Sequence, residues 1–210
     1  MKKYLNLPLK RFAVDMSLRT AAPGGGSASA AAAALGISLL MMTANFSVNK
    51  TGSKKKNEEI KQILSALAKA QKRMMILIDR DIELYGSVRQ VLSLPKSNVN
   101  EINYRNKKLQ SALKKSISAP AEVCEISSDV IPVAERLIEI GNNNLISDSY
   151  CGVSLLRAAI ETAEFNMNAN IRYISDSGYR TSFSGKYGKL IGTSFARIKK
   201  IFKKYESENN

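Results

Sequence analysis

The longest regular pattern in the sequence is helical. Between residues 57 and 93, Ile60, Leu64, Leu67, Gln71, Met74, Ile78, Asp81, Tyr85, Val88 and Leu92 recur at alternating steps of four and three. That spacing lines one side of a helix about ten turns long, and such a seam must be covered by other helices. Pro95 ends it. No segment alternates every two residues between hairpin turns, so strands are not expected. The fold class expected is all-α, an antiparallel bundle of long helices.

The remaining helices follow from their punctuation. Residues 8–20 read as a short amphipathic helix with Leu9, Phe12 and Met16 at helical spacing, broken by Pro23-Gly24-Gly25-Gly26. Ser27 stands where an N-cap is expected, and an alanine-rich helix runs from it to about Asn45. Thr51-Gly52-Ser53 reads as a turn, with Lys54-Lys55-Lys56 opening the next helix. Residues 100–118 form another helix. One more starts near Pro120 and runs to about Ile140, with Pro132 placed to kink or split it. Gly141-Asn142-Asn143-Asn144 stops it. A long helix follows from Ser147 to Ile174, Ser175-Asp176-Ser177-Gly178 breaks it, and a basic helix spans about 187–205. With no internal repeat and no linker, residues 1–210 read as a single domain. The seam favours oligomers.

The stretch Ala28–Ala44 is apolar enough to attract a membrane reading. Alanine is weakly apolar, however, and the stretch holds Ser29, Ser38 and Thr43, so a tightly packed buried helix is the better expectation and no membrane contact is expected. The basic start, Met1-Lys2-Lys3-Tyr4, is not followed by an apolar run, because Pro8, Lys10, Arg11 and Asp15 interrupt it. A secretory signal is therefore not expected.

Composition removes whole classes of chemistry. The chain has no His and only two Cys, Cys124 and Cys151. Ser–His–Asp and Cys–His catalysis, His-based zinc sites and a Cys₄ site are out, and acid–base work falls to Asp, Glu, Lys, Tyr or Cys. Two cysteines make no disulfide framework, which suits a reducing, cytoplasmic compartment; both read as small core residues rather than nucleophiles. The net charge is +14. The excess sits at both ends, +6 in residues 1–60 and +5 in residues 186–210, and implies an anionic partner. The final basic run, Lys199 to Tyr205, reads as a solvated face in preference to an anion contact.

Three groups of residues are candidates for chemistry. Asp81 is a carboxylate on an otherwise apolar and aromatic stretch of the seam, with Asp79, Arg80 and Glu83 off it. Burial would raise its pKa and suit it to general acid or base work; the alternative is a carboxylate paired or hydrogen-bonded to fix helix register. Pro23, Gly24, Gly25, Gly26 and Ser27 open a helix, where glycines admit a close ligand and free N–H groups favour an anion; a turn plus cap is the alternative. It is neither a Walker loop nor a dinucleotide fingerprint. Asn166 and Asn170 share a helix face, and Asp148 lies on the same face about 27 Å away. Asn144 and Asp148 fit helix capping as well as function. Within one chain the two ends cannot meet in one small site, so they line one groove or belong to sites shared between subunits.

The segment Ala22-Pro23-Gly24-Gly25-Gly26-Ser27-Ala28-Ser29-Ala30, with Ala44-Asn45-Phe46-Ser47 after the alanine-rich helix, resembles the cyclodeaminase/cyclohydrolase family. That family contains the cyclodeaminase half of formiminotransferase-cyclodeaminase and stand-alone bacterial methenyltetrahydrofolate cyclohydrolases. Asp81 to Val88 with Leu94-Pro95-Lys96, the Gly141-Asn142, Asn144 and Ser147-Asp148 turn, and Asn166 to Asn170 match in order, covering about residues 7–176. The resemblance implies an all-α homodimer acting on folate one-carbon adducts, with a tetrahydrofolate derivative as substrate and no metal or other cofactor. Folates are anionic and often polyglutamylated, which suits the positive charge. It implies Asp81 as leading proton shuttle and Asp148 as second. Asn144, Asn166 and Asn170 would orient the reacting group, and Gly24–Ser27, Asn45 and Lys50 would hold the folate. Length favours methenyltetrahydrofolate cyclohydrolase, with formimidoyltetrahydrofolate cyclodeaminase as the alternative. A basic helical nucleic-acid-binding protein is the rival of another class; the absence of an Arg-rich recognition helix counts against it.

Overall fold

The computed structural model describes residues 3–50 and 52–209. Thr51 of the expected turn and Met1 and Lys2 of the basic start lie outside the described residues. A 3-10 turn, Tyr4–Asn6, precedes helices α1 (Leu9–Ser17), α2 (Gly25–Ser47), α3 (Lys54–Leu92), α4 (Val99–Ser116), α5 (Ser118–Ile140), α6 (Ile146–Ile171) and α7 (Ser177–Asn209), with a second 3-10 turn at Asn143–Leu145. No strand is present among the described residues. The fold is the expected antiparallel bundle of long helices.

Helix α2 is its centre, packed on α3, α5 and α6. By length and composition it could cross a membrane, yet here Ala30, Ala33, Ile37, Leu40 and Ala44 are fully buried against other helices. Its small residues set how close α6 can come. A Cβ on Gly36 would stand 2.8 Å from the Gly152 carbonyl oxygen, and a Cβ on Gly152 would stand 2.8 Å from that of Gly36. The two helices run antiparallel: Gly25 lies against Asn166 at one end, and Thr43 Oγ1 accepts a hydrogen bond from Ser149 Oγ (3.1 Å) near the other.

Helix boundaries follow local chemistry. Ser53 Oγ accepts the Lys56 N–H and starts α3. At α4, Asn98 Oδ1 accepts the Glu101 N–H (3.0 Å) while Glu101 accepts the Ser97 N–H (2.8 Å), a reciprocal cap one residue out of the usual register. Pro132 neither splits nor stops α5. It removes one N–H, but α5 is packed against α2, α3, α6 and α7 and stays helical.

Four expectations need correcting. Ser27 is not the N-cap of α2; Gly24 is, and Ser27 lies inside the helix with its hydroxyl committed elsewhere. Helix α1 does not bury its apolar residues: Leu9 is 70% exposed, whereas Asp15 is buried. The carboxylate of Asp15 accepts from the Tyr4 hydroxyl (2.9 Å) and pairs with Arg11 (2.9 Å). Asp79, read as off the seam, is buried, because it accepts the backbone N–H of Tyr4 (2.6 Å) and Leu5 (3.4 Å) and so fastens the N-terminal arm to α3. Cys151 is exposed on α6 and is not a core residue, unlike Cys124, whose burial pushes its thiol up to about 12.

The last helix is longer than read from sequence. Asp176 Oδ1 accepts the Tyr179 N–H (2.9 Å), so Ser175-Asp176-Ser177-Gly178 starts α7 directly. Helix α7 lies on α5 and α6, tied to α5 by the ion pairs Lys186–Glu125 (2.6 Å) and Arg197–Glu135.

Candidate active site

Asp81 meets the glycine loop. Helix α3 carries Asp81 to the N-terminus of α2, where Ser27 Oγ donates to Asp81 Oδ2 (3.1 Å) and the Ser27 backbone N–H also bonds the carboxylate. The glycines are needed for this approach and not for unusual backbone angles. A Cβ on Gly26 would lie 2.1 Å from Asp81 Oδ1, and one on Gly25 would lie 2.9 Å from Asn166 Nδ2. The positive end of α2 therefore holds the protein's own carboxylate, which modifies the expectation that it awaits a ligand anion.

Around this contact is a cavity of about 270 Å³, lined by Ala22, Gly24–Gly26, Asp81, Tyr85, Asn166 and Asn170 among others. Asn166 Nδ2 donates to the Thr162 carbonyl (2.8 Å) within α6, which fixes the amide. Among the described residues no Lys or Arg lines the cavity. The arrangement offers one carboxyl, two neutral amides and helix-start N–H groups. Such a set can move a proton beside a tetrahedral centre and hold that centre with neutral donors. Tyr85 belongs to the cavity although the heptad placed it on the packed seam; it is 43% exposed. Its signal in the sequence was its position one turn beyond Asp81.

Burial pushes the Asp81 carboxyl up from its ordinary value, and the Ser27 hydroxyl and N–H oppose that rise. A carboxyl raised by folding favours the folded state below its unfolded pKa, and this contribution is lost as the pH rises through the folded value. Asn at position 81 has no such dependence. The stability of Asp81→Asn relative to the unsubstituted protein should therefore improve as the pH rises from about 3.5 to 7. Paired urea melts at the two pH values check this; a difference that moves the other way would contradict the burial argument.

The other predicted residues gather at the opposite end of α2, about 34 Å away along its axis. There Ser47 Oγ accepts the Asn142 N–H (2.8 Å), joining the end of α2 to the turn before α6. A second cavity, of about 520 Å³, is lined by Ser47, Lys50, Lys56 and Asn142–Asn144. Asn45 is exposed near the end of α2 but does not line it, and Lys50 Nζ sits 5.9 Å from the Phe46 ring centroid. Asp148 is partly buried in the first turn of α6. Within one chain, then, Asp81, Asn166, Asn170 and Pro23–Ser27 form one end, and Asn45, Lys50, Asn144 and Asp148 form the other. Among the described residues no cluster of three or more His, Cys, Asp or Glu gathers to hold a metal ion.

The sequence model of formiminotransferase-cyclodeaminase matches residues 8–188. The chain belongs to the formiminotransferase-cyclodeaminase family. It is 27% identical over 205 residues to a methenyltetrahydrofolate cyclohydrolase of Methylorubrum extorquens, covering 98% of this chain and 99% of that one. It is 28% identical over 190 residues to a formimidoyltransferase-cyclodeaminase of Gallus gallus, covering 90% of this chain but only 35% of that longer protein. In structure it resembles the formiminotetrahydrofolate cyclodeaminase of Thermotoga maritima, with a TM-score of 0.82 at 28% identity over 95% of this chain and 98% of that one. Both full-length likenesses extend through most of the basic helix α7, beyond the stretch matched by the family model.

Proposed function

We propose that the protein is a methenyltetrahydrofolate cyclohydrolase, a folate one-carbon enzyme. The observation that carries this reading is a partly buried carboxyl of raised pKa, Asp81, facing a cavity otherwise lined by neutral amides and glycine backbone. Water adds to the amidinium carbon of 5,10-methenyltetrahydrofolate, and the Asp81 carboxylate takes its proton. The bond from that carbon to N5 then breaks, the proton passes to N5, and 10-formyltetrahydrofolate leaves with one proton released overall. Asn166 and Asn170 hold the oxygen and ring donors of the centre. Addition and proton transfer need no metal or redox cofactor. Mixing the purified protein with the methenyl substrate should abolish the methenyl absorbance faster than buffer does. The likeness to the Thermotoga maritima cyclodeaminase supports a second reading, in which N10 attacks a formimino carbon on N5 and ammonia leaves. That reaction makes methenyl absorbance appear, so one spectrophotometer separates the two.

The same proposal includes a homodimer. The Asp81 cavity is below the roughly 300–1,000 Å³ usual for small-molecule sites, and it lacks a cation for an anionic substrate. The Lys50 end supplies two, Lys50 and Lys56. Because α2 and α6 span both ends, a two-fold axis across their outer face, near Leu35 and Leu155, sets the Asp81 end of one protomer beside the Lys50 end of its partner. Leu35 (53% exposed), Phe46 (53%) and Phe165 (67%) leave that face apolar. Two equivalent sites result, in which Asn144 and Asp148 of the partner subunit face the substrate and Lys50 of the partner subunit takes its carboxylates, a polyglutamate tail included. A single domain over the whole chain and a cytoplasmic location belong to the same proposal.

A further inference from the structure

Helix α7 carries its charges in two different ways. Toward α5, Lys186 and Arg197 each have a carboxylate partner. Toward α6, Lys199 and Lys203 of α7 face Arg157 of α6 across a cavity of about 690 Å³, larger than either cavity described above. Among the described residues, none forms a hydrogen bond or ion pair with any of these three cations. The floor between them is apolar: Phe195, buried Ile198 and Phe202. Phe202 is held in place against the Tyr150 ring at 6.1 Å. Among the described residues, the carboxylate on the rim is Glu206.

Solvent exposure alone accounts for lysines on an outer helix face, their stems lying along apolar surface. It does not account for cations from two helices converging on one hollow. Like charges brought together beside a low-dielectric floor repel, and an anion between them relieves the repulsion. The volume falls in the range of small-molecule sites, and an apolar floor with few convergent charges is their usual composition. The cavity shares no residue with the Asp81 or Lys50 cavities.

We propose that this groove between α6 and α7 is a separate binding site for an anionic amphiphile, an apolar body lying on Phe195, Ile198 and Phe202 with a multiply charged head between Arg157, Lys199 and Lys203. The proposal does not depend on the folate reading. Isothermal titration of the intact protein with octyl phosphate, inorganic phosphate and octanol tests it. Octyl phosphate should saturate one site per chain, with phosphate and octanol each at least about tenfold weaker. Arg157→Ala, and separately the double change Lys199→Ala with Lys203→Ala, should each weaken octyl phosphate about tenfold. Lys189→Ala, on the exposed face of the same helix but outside the cavity, should leave it unchanged. Urea midpoints equal to the unsubstituted protein exclude misfolding as the cause. No saturable binding up to about 1 mM, equal binding of inorganic phosphate, or indifference to both sets of substitutions would overturn the proposal.

Discussion

Asp81→Asn is expected to lower turnover of the methenyl substrate by about 10²–10⁴-fold while the helical fold survives. The expectation rests on the separation of two roles at one position. As a structural group the carboxylate accepts the Ser27 hydroxyl and N–H at the start of α2. The Asn oxygen can accept the same bonds, at the loss of a favourable charge at the helix end worth about 0.3–1 kcal/mol. That loss is offset by removing a buried charge. As a chemical group, however, Asn can neither take nor return a proton. Stopped-flow absorbance for turnover and circular dichroism for helix content separate the outcomes. Full turnover by the variant would remove Asp81 from the mechanism and leave it a helix cap.

Leu35→Arg should convert the proposed dimer to monomer and reduce turnover by about 10²-fold, because each proposed shared site would then lose the partner's donors. Leu35 is 53% exposed midway along α2, whose inward neighbour Gly36 is closed against Gly152, so the change falls on the outer face and not in the core. Sedimentation at micromolar concentration reads the first effect, and absorbance reads the second. Complementation gives a sharper test. Asp81→Asn and Lys50→Ala, each expected to be strongly impaired alone, place their defects at opposite ends of α2. If sites are shared, exchange of subunits creates heterodimers with one intact site, and about a quarter of the activity returns. A fully active monomer would refute the shared site without touching the family assignment.

The bundle was legible because long helices announce themselves by period. The spacing of apolar residues was enough for α3 as a helix, and Ile60, Leu67, Met74 and Val88 of the seam are buried, but so are Ile63, Leu77, Ile82 and Leu84 beside it. What that spacing hides is a partner distant in the chain. Asp79 looked like a surface carboxylate because the pattern registers apolar faces, and its partners are backbone N–H groups about 75 residues earlier. Tyr85 sat at a seam position, yet it faces a cavity, since a heptad cannot say where the covering helices stop. The glycine loop was recognisable as a helix opening, but not that Asp81 and Asn166 fill the space where Cβ atoms would go. The separation of Asp148 from Asn166 and Asn170 was legible, as it is only the length of a helix; that Lys50 lies at the Asp148 end, away from Asp81, was not.

The clasp at the middle of α3 has a consequence for synthesis. Asp79 grips Tyr4 and Asp81 grips Ser27, so one helical turn closes chain loops of 75 and 54 residues. Neither loop can close until that turn of α3 has left the ribosome, and the entropy of closing them is met only then. The N-terminal arm and the glycine loop, made first, are thus among the last parts of the first half of the chain to find their places. While they wait, α5 and α6 have not yet been made to cover the alanine-rich α2, and aggregation in that interval is a hazard the nascent chain must survive.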